Sequence, residues 1–203
     1  MTFDRELLAL IRRAAPTQSD MVELIAAIIA DFTDSERRAI FAELEAAGVL
    51  GSLEGYLAHS AAYAEPLPVR EVSNDYQDWM LGQLRERFPA QPVVDLTNTT
   101  DMERDLFSGM ARLNRLVLLV VEGRQVVPTF QLERVASDRS LPRFAVQRTN
   151  QILRVGEDPW GALSWWTSPN GWLDGGRSPA DLIGTDAEAT VSELAESLLA
   201  NAG

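Results

Sequence analysis

LVLLVVEGRQVVPTFQL, residues 116–132, is the stretch on which the fold turns. Two runs rich in Val and Leu flank Glu122-Gly123-Arg124, a short turn sequence, and the whole reads as a β-hairpin. Pro128 has no N–H to give to a ladder, which predicts an edge position for the second strand. On both sides of this segment the apolar residues return at helical spacing. The expected fold class is therefore mainly α: an N-terminal helical block, then a small helical domain with one short hairpin at about 116–132.

Upstream, FDRELLALIRRA (3–14) sets Leu7, Leu8, Leu10 and Ile11 on one face, and Pro16 closes the segment. A second amphipathic helix is expected from a Ser19/Asp20 cap and includes the run LIAAIIA (24–30). In the third, Thr33 and Glu36 have capping-box spacing and Gly48 supplies a left-handed stop. SLEGYLAHSAAYAE (52–65) and NDYQDWMLGQLRERF (74–88) read as two more helices. PAQP (89–92) breaks the helical period and is the expected boundary between an acidic block, 1–88, and a second domain, 93–203. After it, VVDL reads as extended and Thr100 with Glu103 caps a further helix. There is no internal repeat.

Composition narrows the chemistry. The chain has 203 residues, a formal charge of −12, no cysteine and one histidine. Cysteine chemistry and multi-histidine metal sites are thereby excluded, and His59, among alanines, reads as a surface or capping residue. No apolar run is long enough for a membrane span and the first residues do not resemble a signal peptide, so a cytoplasmic protein is expected. No nucleophile–base set, phosphate loop or isolated carboxylate pair is visible, so neither catalytic residues nor a cofactor or metal is expected. All 18 basic residues are arginine, and nine of them fall between Arg104 and Arg154 against four acids. The overall acidity argues against strong nucleic-acid binding; within the arginine-rich middle, Arg112 and Arg115 are the candidate DNA contacts.

Four of the five tryptophans, Trp160, Trp165, Trp166 and Trp172, lie in DPWGALSWWTSPNGWLDGGRSPADL (158–182). Asp158-Pro159 and Ser178-Pro179 are helix entries, each with a cap and a proline in the first turn. Trp160, Leu163 and Trp166 share a helical face and are expected in the core. Trp165 and Trp172 are the surface candidates. A helical pattern resumes at PRFAVQRTNQILRV (142–155), and a last helix is expected over 186–200.

The order of a tryptophan helix, a Ser168-Pro169-Asn170 turn, Leu173 with Gly175 or Gly176, and Ser178-Pro179 opening the next helix resembles the toxin-binding domain of Xre/MbcA/ParS-type antitoxins. VVPTFQLE, with Pro128, Phe130 and Gln131, is similar to the strand before that domain, and the likeness runs from about 116 to 200. It implies a non-enzymatic protein that binds a RES-type toxin, an NAD-consuming enzyme of ADP-ribosyltransferase-like fold, and occludes its active site. The implied contacts are Trp165, Asn170, Trp172, Arg177, Asp181, Glu193 and Glu196, the last two pairing with cations that would otherwise hold the dinucleotide pyrophosphate. A homo-oligomer is expected. Where such antitoxins carry a helix-turn-helix, this chain offers only Ser108-Gly109 as a turn, so any DNA binding should be weak. The alternatives are a transcriptional regulator with a degenerate DNA-binding element at about 100–150 and an adaptor that has lost the toxin.

Overall fold

The computed structural model describes residues 5–49, 72–135 and 140–201. Its helices are α1 (Arg5–Ala14), α2 (Gln18–Ile28), α3 (Asp34–Ala46), α4 (Asn74–Arg87), α5 (Asp101–Arg112), α6 (Phe144–Leu153), α7 (Pro159–Thr167) and α8 (Thr190–Asn201). The strands are β1 (Val93–Asp95), β2 (Leu119–Val121), β3 (Arg124–Pro128), β4 (Leu132–Arg134) and β5 (Ser140–Pro142). The chain is mainly α with a small antiparallel sheet. The helix expected at 52–65, with His59, lies outside the described residues.

The chain forms two compact units, one of residues 1–67 and 100–113, the other of 68–99 and 114–203. In the first, capping follows the local sequence. Thr33 Oγ1 accepts from the Glu36 N–H while the Glu36 carboxylate accepts from the Thr33 N–H at 2.9 Å. Thr100 and Glu103 repeat the arrangement at the start of α5, and Gly48 follows α3 with φ +66°. The cap of α2 is Thr17, two residues before the expected Ser19. Residues Leu24 to Ala27 are all fully buried, so the second half of α2 is enclosed on every face, unlike the ordinary amphipathic helix its period suggests. Both α1 and α5 pack on it. Among the described residues no helix is long and apolar enough to cross a membrane.

Gly109 is where α5 meets α2. A Cβ there would lie 2.6 Å from Ile28 Cγ1 and 3.1 Å from the Ile28 backbone nitrogen. Helix α5 runs unbroken through Ser108-Gly109, which is no turn. Gly109→Ala is expected to destabilise the fold by about 1–3 kcal/mol, because overpacking outweighs the gain in helix propensity. A variant that unfolds at the same or higher denaturant concentration would show that the contact is not limiting.

In the second unit β3 lies between β1 and β2. The β2–β3 hairpin turns at Glu122 (φ +49°) and Gly123 (φ +76°), the left-handed pair of a two-residue hairpin loop. β3 is thus the central strand, contrary to the edge position expected from Pro128. Pro128 sits at the last pair, opposite Val93, and the next residue supplies the missing donor: the Thr129 N–H bonds to the Pro92 carbonyl at 3.0 Å. A second short pair, β4 with β5, follows.

The same bond corrects the expected boundary. PAQP is held to the end of β3 through Pro92 and through the Thr129 hydroxyl, which donates to the Gln91 carbonyl. Helix α4, before PAQP, belongs to the second unit and α5, after it, to the first. Met80, Leu81 and Leu84 of α4 join Trp166, Leu163 and Phe130 in one core. A proline pair stops a helix locally; it does not dictate which core the helix joins.

Candidate partner-binding surface

Helix α7 begins with Pro159 behind the Asp158 cap, whose carboxylate accepts from the Gly161 N–H at 2.9 Å. A Cβ at Gly161 would strike the Asp158 carboxylate, so a side chain there would displace the cap. Trp160, Leu163 and Trp166 are buried, as their spacing predicts. Trp166 is 0% exposed, lies 5.2 Å from both the Phe130 and Trp165 rings, and donates from Nε1 to Asn150 Oδ1 at 2.8 Å. Trp165 is half-buried against that core and offers only part of its surface.

A polar chain runs on from Asn150. Its Nδ2 donates to Gln131 Oε1 at 2.9 Å and to the Arg115 carbonyl at 3.1 Å. Gln131 then clasps Val117, accepting from its N–H at 2.8 Å and donating to its carbonyl at 2.9 Å. The Gln131 amide therefore does for Val117 what a neighbouring strand would do, and β2 begins only at Leu119.

After α7 the backbone closes a loop. The Asn170 N–H donates to the Arg177 carbonyl at 2.9 Å, and Asn170 Oδ1 accepts from the Trp172 N–H at 2.9 Å. Gly175 and Gly176 take φ +73° and +69°, which lets the chain return. Arg177 Nε donates to the Asp174 carbonyl at 3.2 Å. At the tip Trp172 is 76% exposed. Asn170, Trp172 and Arg177 thus share one loop, in which Asn170 shapes the backbone and Trp172 supplies the surface.

Asp181 has a different part. It accepts from the Ser178 N–H at 2.7 Å, the Ser178 hydroxyl at 2.8 Å and Arg87 Nη1 at 2.6 Å. Burial pushes its carboxyl up, but the Ser178 hydrogen bonds and Arg87 together hold it below the usual carboxylate range. Asp181 anchors the loop's exit to the end of α4. Arg87 was not visible as a site residue in the sequence, where a basic residue in a last helical turn is commonplace. Glu193 and Glu196 are exposed on α8, and Glu196 pairs with Arg148 of α6 at 3.3 Å.

The two candidate DNA contacts are engaged inside the fold. Arg112 Nη1 donates to the Ala27 carbonyl at 2.8 Å and its Nη2 pairs with Asp31, which finishes the end of α2. Arg115 is 3% exposed, so its guanidinium cannot reach a phosphate without local unfolding. Among the described residues no group of three His, Cys, Asp or Glu is placed to hold a metal ion. Among the described residues that line a cleft in the first unit, with Arg12, Pro16, Gln18, Met21 and Val49, the one hydroxyl is that of Thr17, which is committed to capping α2. No family model, curated protein or solved structure matches this chain.

Proposed function

We propose that this chain is an antitoxin-like protein, without catalytic activity of its own, that binds a RES-type NAD-consuming toxin and occludes its active site. The observation that carries the reading is Trp172, a largely exposed tryptophan on a loop closed by its own hydrogen bonds. A large aromatic presented to water from a loop whose backbone is closed in this way suits a binding anchor, because a partner that covers it buries a large apolar area. The buried Trp160 and Trp166 and the Asn170 turn agree with the resemblance to the toxin-binding domain. Exposed Glu193 on α8 faces solvent where cationic groups of such an enzyme can reach it, and Glu196 would exchange Arg148 for them. The reading entails a cytoplasmic complex and more than one copy of the chain. A DNA-binding regulator is disfavoured by the engagement of Arg112 and the burial of Arg115.

Co-purification with RES-type toxins, followed by an assay of NAD consumption, tests it. The complex is expected to suppress NAD loss. Trp172→Ala should weaken binding by about 2 kcal/mol or more while the melting temperature stays put. If no RES-type enzyme is bound or inhibited the proposal fails; if Trp172→Ala binds as tightly as the parent, the contact lies elsewhere.

A further inference from the structure

Three glycines lie inside the described α-helices, and two of them have an internal reason: Gly109 meets Ile28 and Gly161 meets the Asp158 carboxylate. Gly82, in the middle of α4, has none. A Cβ built on it meets nothing within 4 Å among the described residues, although glycine is the least favourable helix-interior residue after proline. One turn earlier Trp79 is 53% exposed, its ring 5.8 Å from that of Tyr76, which is itself packed on the core. Asp75, Trp79, Gly82 and Glu86 recur at i, i+4, i+7 and i+11 and form one outward stripe, with exposed Asp78 beside it. The stripe has its notch at Gly82, one turn after Trp79, whose ring leans on Tyr76, with the exposed carboxylates and the exposed Arg85 around it, on the face opposite Met80, Leu81 and Leu84.

We infer that this face of α4 is a docking site for a cationic amphipathic helix of a protein partner. Glycine at the notch lets a second helix backbone come close, Trp79 gives an exposed apolar contact one turn away, and Asp75, Asp78 and Glu86, which outnumber Arg85 on this face, favour arginine or lysine at its margin. The charge decides between occupants: another copy of this chain would bring the same carboxylates and a net charge of −12 to the contact. The site lies outside the antitoxin-like stretch and does not rest on the proposed toxin.

The test uses the full chain and two labelled synthetic peptides, an amphipathic helix with arginines along the edge of its apolar face and a scrambled version of equal charge. Gly82→Ala is expected to raise the melting temperature by roughly 2–4 °C, as the notch has no internal use; a lower melting temperature would overturn the inference. The helical peptide should bind the parent, and Trp79→Ala or Gly82→Leu, each checked for unchanged helicity, should weaken it by about tenfold or more. Equal binding of the scrambled peptide, indifference to both substitutions, or no binding of either peptide would each overturn it. So would self-association of the parent that Gly82→Leu abolishes, since the occupant would then be a second copy.

Discussion

Trp166→Ala is expected to destabilise the chain by roughly 3–5 kcal/mol, read from urea unfolding of the second unit. The indole is fully buried between Phe130 and Trp165, with α4 packed against α7 on the same core. Removing it opens a cavity that rigid neighbours on a helix and a turn cannot close. It also leaves Asn150 Oδ1 without the Nε1–H that it accepts. Trp166→Phe separates the two losses: most of the volume stays, the donor goes, and about 1–3 kcal/mol should remain. Trp172→Ala, on the same instrument, should scarcely move the curve, because its ring is mostly in water. A Trp166→Ala variant within about 1 kcal/mol of the parent would mean that the tryptophan helix is held from elsewhere.

The contrast between these tryptophans was legible in the sequence because helical spacing is local information. Trp160, Leu163 and Trp166 fall on one face, and that face is buried. The capping boxes at Thr33 and Thr100 and the Glu122-Gly123 turn were legible for the same reason. Long-range partners were not. Pro128 reads as an edge residue until Thr129 is seen to donate in its place, and PAQP reads as a linker until Pro92 is seen to accept that bond. Arg115 reads as a surface cation because nothing near it in the chain announces that it is enclosed. Asn150, in RTNQIL, carries no signal at all: an asparagine on a helix is normally solvated, and only its meeting with Trp166 and Gln131 gives it a role.

That role can be measured. Asn150→Ala is expected to cost about 2–5 kcal/mol, as much as many core truncations, although only a small polar side chain is removed. The Trp166 Nε1–H loses its acceptor, and the Arg115 carbonyl and Gln131 Oε1 each lose a donor, all at buried positions. A buried group stripped of its partner forfeits its hydration with nothing in return. Asn150→Asp, nearly the same shape, should be no better at neutral pH: it still accepts from Trp166 but sets a carboxylate against two carbonyl acceptors. The network should also be coupled. Gln131→Ala alone frees the Val117 N–H and carbonyl, the contact that stands in for a strand, and the double variant with Asn150→Ala should cost less than the sum by about 0.5–3 kcal/mol. Strict additivity would show two independent hydrogen-bond sets and would leave Gln131 as a local clasp on Val117, with no part in fixing the tryptophan helix.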